Sequence, residues 1–186
     1  GSYQSGWIRI TNKSTKEVDL KEMVNNQYNG LTASTKFPKM KIEVRDFATT
    51  SKPASKIVEI NINEQKTLSG MFVEGDAPQN PSQSDTNIYL AYNGSSAVTI
   101  TIAAASSSNP YQYCIIKPGE TFDLKKTTWY TVTKNSGFKL LSSRVPEGSI
   151  IYVRKRASKD TKTSTVELAT TCLSHVVSYP AVPVVE

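Results

Sequence analysis

A single histidine and two cysteines are all that 186 residues supply of the side chains most used in nucleophilic and metal chemistry. A Ser-His-acid or Cys-His arrangement needs an imidazole, and only His175, in the run TTCLSHVV, provides one. It stands three residues from Cys172, an odd spacing that sends the two side chains to opposite faces of a strand. A structural histidine is therefore expected, and no catalytic residue is assigned. Zinc and EF-hand sites need closely spaced ligands. Cys114 and Cys172 lie far apart and no carboxylate cluster accompanies them, so neither a metal nor another cofactor is expected. The cysteine count leaves one disulfide or two buried thiols open.

Long apolar runs are missing as well. None approaches the length of a membrane span, and no signal peptide is recognisable. The hydrophobic fraction is only 38%, yet β-branched and aromatic residues are too frequent for a disordered chain. Charge is not concentrated either: 22 Lys and Arg against 16 Asp and Glu leave +6, with the two signs interspersed. That balance favours solubility and a weak attraction to anionic surfaces. It gives no reason to expect DNA as a partner, offers RNA no continuous basic track, and leaves a membrane surface open.

What the chain has in excess is Ser and Thr, which approach a quarter of the residues, and strict alternation of apolar and polar positions. Both suit β-strands with polar outer faces. The clearest stretch runs from Asn87 to Leu124. It holds two alternating runs across an Asn93-Gly94 turn and a third that leads into a Pro118-Gly119 turn. Strands are also expected at Trp7–Ile10 and Val18–Leu20 as a hairpin, then at Lys41–Arg45 and Ile57–Ile62, with Lys66–Val73 continuing in extended form, and further strands at Thr128–Thr133, Phe138–Leu141, Ser149–Arg156 and from Thr165. Residues 21–39 read as a loop with one short helix at most. About a dozen short strands with little helix define an all-β chain, an antiparallel β-sandwich or barrel of jelly-roll-like character. Ile88, Leu90, Val98, Ile100 and Phe122 are the expected core.

Gly1-Ser2 reads as the remnant of an expression tag, which implies a chain excised from a longer protein. Residues 3–178 then form a single β domain. Ile8, Ile10, Val18 and Leu20 align with Ile88, Leu90, Val98 and Ile100 at a shift of 80, an echo that admits two similar halves, 3–74 and 86–178, joined by loop 75–85. Duplication accounts for this echo, and so does the way any alternating strands align. The prolines of 179–186 exclude a central strand there and leave an edge strand or extended C-terminal arm.

Partner contacts are expected on loops carried by the scaffold. The run Ser106 to Tyr113 is small, polar and aromatic, the composition of an adaptable contact surface, and it nominates Asn109, Tyr111 and Tyr113. The Pro-rich loop GDAPQNPSQSD nominates Gln79 and Asn80. Arg154, Lys155 and Arg156 form a candidate basic patch for phosphate, glycan or RNA backbone, although charges on a strand also serve to prevent sheet-to-sheet pairing. Asp85-Thr86-Asn87 departs from the Asp-Thr-Gly loop of aspartic peptidases. Those enzymes need a second carboxylate, so Asp85 is expected to bond its own backbone at the start of a strand. Asn12 and Asn93 begin glycosylation sequons, and both also suit hairpin turns.

Ser/Thr richness, the Pro-rich loop GDAPQNPSQSD, the absent catalytic set, an excisable start and the Pro-Val tail YPAVPVVE together resemble the protruding, or spike, domains of small RNA-virus capsid proteins. The resemblance covers the whole chain loosely and transfers no functional residue. It implies a non-enzymatic module on the virion surface or outside the cell, which associates with copies of itself and attaches to a host receptor or glycan. In its tryptophan-led start, Trp7-Ile8-Arg9-Ile10, the chain is also similar to aegerolysins, membrane-binding β-sandwiches that are typically more acidic and richer in tryptophan. A peptidase built on Asp85 is a further alternative and requires a partner carboxylate from another subunit.

Overall fold

The computed structural model describes Trp7, residues 36–123 and residues 126–181. Within them the chain is all-β, without helix, and its strands form three four-stranded sheets. The central hairpin pairs β4 (Ile88–Asn93) with β5 (Ala97–Ile102) in the register Ile88↔Ile102 through Asn93↔Ala97. Its three-residue loop is closed by Ser96, whose amide and hydroxyl both donate to the Asn93 carbonyl, at 3.2 and 2.8 Å. The left-handed backbone in this turn belongs to Gly94, at φ +52°, and not to Asn93. Edge strands β3 (Phe72–Glu74), parallel to β4, and β8 (Phe138–Leu141), antiparallel to β5, complete the sheet in the order β3-β4-β5-β8.

The second sheet has the order β12-β9-β6-β7, with β6 (Tyr111–Ile116) and β9 (Ile150–Lys155) in its centre. Strands β7 (Tyr130–Val132) and β12 (Leu173–Val176) form its edges, and all its pairings are antiparallel. The two sheets face one another. Ile88, Leu90, Val98, Ile100 and Ile102 from the first share one buried cluster with Tyr111, Tyr113, Ile151 and Val153 from the second. This is the period-2 pattern at work: every second side chain of four central strands is removed from water against the opposing sheet.

Side chains and not backbone pairing close the rims. On one edge Tyr113 stacks on Tyr130 and Phe138, with ring centroids at 5.2 and 4.8 Å. On the other, His175 of β12 lies 5.2 Å from the Phe72 ring, and its Nε2 is 3.5 Å from Glu74 Oε1 on β3. The sheets therefore stay separate, and of the two expected architectures the sandwich is the one formed; no closed barrel is present among the described residues.

The third sheet, β1-β2-β11-β10, is a thinner ribbon. Strand β1 (Met40–Val44) pairs antiparallel with β2 (Val58–Ile62), β2 runs parallel to β11 (Thr165–Glu167), and β10 (Ser158–Asp160) forms a hairpin with β11. The register puts Met40, Ile42, Val44, Val58, Ile60 and Ile62 on one face and Lys41, Glu43, Glu59 and Asn61 on the other. Only Ile62 is fully buried, and Val58 remains 59% exposed. Two connectors running side by side tie the ribbon to the sandwich: Thr171 N donates to Lys66 O at 3.0 Å, and Gln65 Nε2 to Ala169 O at 3.1 Å. Strands from both halves of the sequence interleave, since β2 pairs with β11 and β3 with β4.

One expected core residue is displaced, and two expected segments are specified further. The extended run Lys66–Val73 contributes a strand only from Phe72. Phe122 is half-buried on the outside of the second sheet, where its ring stacks on Tyr152 at 4.5 Å, and is not part of the core. Tyr179, first residue of the expected arm, is anchored: its hydroxyl donates to Val145 O at 2.8 Å and its ring meets Tyr92 edge-on at 5.4 Å. The expected 7–20 hairpin and the short helix in 21–39 lie largely outside the described residues. Trp7 itself has the Arg45 guanidinium 3.9 Å over its ring.

Truncating Leu90, fully buried at the sheet interface, to Ala should destabilise the domain by about 2–5 kcal/mol in urea unfolding, through lost transfer energy and a residual cavity. Gly70, at φ +99°, approaches Thr86 so closely that an added Cβ would sit 2.1 Å from the Thr86 carbonyl oxygen. Gly70→Ala should accordingly cost more than Gly94→Ala, where nothing lies within 4 Å and only the left-handed backbone is strained, by about 1–2 kcal/mol.

Candidate binding surfaces

The loops nominated from sequence converge on one end of the sandwich. Because Ile88 pairs with Ile102, the segment leading into β4 and the one leaving β5 emerge side by side, and Ala103 N donates to Asn87 O at 3.3 Å. Asp85 shapes the first loop as expected: Oδ1 accepts from Asn87 N at 3.0 Å, and Oδ2 accepts from the Tyr89 hydroxyl at 2.7 Å. Asn135, from the β7–β8 connection, donates its Nδ2 to Pro81 O at 3.1 Å. These bonds leave Gln79 and Asn80 exposed on a loop whose flanks are fixed.

The neighbouring loop is a closed turn. Ser106 N donates to Asn109 O at 3.2 Å and Asn109 N to Ser106 O at 3.1 Å, while Asn109 Nδ2 donates to Ala104 O at 2.9 Å. Asn109 is thus half-buried and committed to holding its own turn. Tyr111 and Tyr113 are 3% and 8% exposed. Their place is in the core, where burial raises both phenol pKa values, and they present nothing to a partner. Loop composition nominated them; their position on β6, where odd residues face inward, decides otherwise.

The basic patch divides. Lys155 is exposed at the strand end opposite Tyr111, and Arg156 is exposed beyond it, donating its backbone N to Pro110 O at 3.0 Å. Arg154 points to the outer face of the second sheet, where its cross-strand neighbour is Gln112. Its Nε donates to Gln112 Oε1 at 3.0 Å, and its guanidinium lies 3.7 Å over the Trp129 ring. Trp129 meets Phe122 edge-on at 6.3 Å. The outer face therefore carries an aromatic cluster with one cation in it. Burial lowers the Arg154 pKa from its ordinary value, and a guanidinium remains charged at neutral pH all the same.

Both cysteines border this cluster, and both are free. Cys114 is opposite Tyr152, while Cys172 sits one residue before Leu173, which pairs with Val153. Strand β9 therefore separates them by two strand spacings, about 10 Å, beyond the ~7 Å reach of a disulfide. Burial pushes the Cys114 thiol up to about 12 and raises Cys172 in the same direction.

An open hollow of about 710 Å³ is lined by Ile116, Lys117, Glu120, Thr127, Tyr130 and Arg144 among others. Its charges are of both signs. Among the described residues no group of three or more His, Cys, Asp and Glu is placed to hold a metal ion. No family model, curated protein or solved structure matches the chain.

A raised thiol pKa makes a definite statement about pH. The folded state keeps Cys114 protonated up to about 12, whereas the unfolded thiol ionises near 9.0. This contribution to stability is complete below the unfolded value and is lost as pH rises towards the folded one, by at most about 1.4 kcal/mol per pH unit. Urea unfolding between pH 8 and 11 should show a steeper decline for the wild-type protein than for Cys114→Ala. Thiol counting without reductant should find two free thiols in the unfolded chain.

Proposed function

We propose that this domain is a non-enzymatic attachment module which binds a receptor or glycan through the loops at one end of its sandwich. In the manner of a capsid protruding domain, it would act at a virion surface or outside a cell, with copies of itself as further partners. The observation that carries this reading is the preorganisation of those loops. Three connections meet at one end of a rigid two-sheet scaffold, and each is fixed by its own side-chain hydrogen bonds around Asp85, Asn109 and Asn135. Contact residues held in place before binding lose little entropy when a partner arrives. Gln79 and Asn80 are exposed amides on this surface, with Gln83 exposed on the same loop.

Self-association has a separate support. The apolar face of the ribbon sheet leaves Val44 and Val58 exposed at 43% and 59%, beside Ile57 at 47%. Contiguous apolar exposure of this kind marks contact surfaces. Arg154 is paired with an amide and an aromatic ring, Lys155 and Arg156 stand apart from it, and the three form no track for a nucleic-acid backbone.

A glycan array, followed by titration of the best ligand, should give saturable binding that the double variant Gln79→Ala, Asn80→Ala weakens about tenfold, the scale of one or two lost interfacial hydrogen bonds. The melting temperature should be unchanged, and light scattering should detect dimers or larger species. Leakage of lipid vesicles would instead support the membrane-active, aegerolysin-like alternative. Peptidase activity abolished by Asp85→Asn would overturn the non-enzymatic reading.

A further inference from the structure

The outer face of the β12-β9-β6-β7 sheet holds a cation that the described protein does not neutralise. No described carboxylate lies within ion-pair distance of Arg154, whose partners are Gln112 Oε1 and the Trp129 ring. Lysines elsewhere in the chain do find acids: Lys41 is 2.8 Å from Glu43, and Lys66 is 3.6 Å from Glu167. Partial withdrawal of a guanidinium from water without a counter-charge is unfavourable. The thiols beside it do not compensate, since burial keeps both protonated at neutral pH.

The geometry leaves part of this cation available. Its Nε is occupied, and stacking on Trp129 fixes the guanidinium plane. Neither terminal nitrogen donates to a described residue, and neither is among the fully enclosed polar atoms. Gln112 is in the same condition: its Oε1 accepts from Arg154, while its amide nitrogen has no described partner and is not enclosed. Next to Gln112 in register is the exposed Thr131 of β7.

We infer that Arg154 and Gln112, backed by Trp129, form a binding site for the carboxylate of an acidic saccharide. The two terminal nitrogens of Arg154 present parallel N–H groups in the spacing that a carboxylate accepts bidentately. The Gln112 amide and the Thr131 hydroxyl are placed to bond ring hydroxyls. Among the described residues Arg154 is the cation stacked in this cluster, and its single fork matches a monoanionic carboxylate. The site stands on the flank of the sandwich and does not depend on the loop contacts proposed above. A protein that binds nothing through Gln79 and Asn80 would keep it.

Trp129 reports on the site directly. In the full chain carrying Trp7→Phe, Trp129 is the sole indole. Titration with sodium glucuronate at constant ionic strength should change its emission saturably, with Kd on the order of 1 mM for one bidentate contact plus hydroxyl bonds. Glucose and inorganic phosphate should bind at least about tenfold more weakly. Arg154→Met should abolish the response. Arg154→Lys, which keeps the charge but not the fork, should weaken it about tenfold and supplies the test if the methionine variant does not fold. The Arg154 Nε–H resonance should shift in the same titration. The Gln79→Ala, Asn80→Ala variant should respond like its parent. An unshifted Arg154 resonance with unchanged emission would overturn the proposal, as would phosphate or an acidic peptide binding as well as glucuronate, or Arg154→Lys binding as tightly as the parent.

Discussion

Burial of two inner sheet faces against one another is the interaction on which the rest of this structure depends. Four central strands supply it, β4 and β5 on one side and β6 and β9 on the other, through Ile88, Leu90, Val98, Ile100, Tyr111, Tyr113, Ile151 and Val153. The aliphatic residues among them are wholly removed from water, and each such side chain contributes about 1.5–3 kcal/mol. No disulfide or described metal cluster assists. The chain relies on alternation, and the Ser and Thr excess follows from the same fact: strands buried on one side need an outer face that water accepts.

The sandwich then determines what its periphery can do. Its rims are closed by rings and one His-Glu contact, so the sheets are aligned without merging. The loops at one end are displayed on the sandwich, and the outer face of the second sheet holds Arg154 stacked on Trp129. The ribbon sheet differs in kind. Its polar face is a network in which Lys41 bonds Glu43 and Glu59. Such exposed pairs contribute little, and its apolar face is only partly covered. It rests on the sandwich through connectors 63–68 and 167–171 more than through a core of its own.

Much of this was legible in the chain. The β4–β5 hairpin, with its apolar positions at even numbers and its Asn93-Gly94 turn, was readable outright, as was the role of Asp85 in closing its loop. Loop 75–85 and its exposed Gln79 and Asn80 follow from proline and polar composition. Strand order was not legible, because alternation selects faces and says nothing of neighbours. That gap explains the misplacements. Tyr111 and Tyr113 look like loop aromatics until β6 is known to begin at Tyr111 with odd residues inward. Phe122 looks like core until its segment is seen to fold over the outer face. The Gln112–Arg154 pair spans 42 residues and rests on β6 lying beside β9, which no local pattern announces; the one sequence signal is the basic run Arg154-Lys155-Arg156.

Native-state hydrogen exchange tests the central claim, that the two-sheet interface is the stable unit and the ribbon is carried by it. Amides in β4, β5, β6 and β9 should exchange only through global unfolding, while those of β1, β2, β10 and β11 should exchange through a smaller opening with lower free energy. Equal protection of ribbon and sandwich, or a ribbon that outlasts the β4–β5 hairpin, would contradict this account.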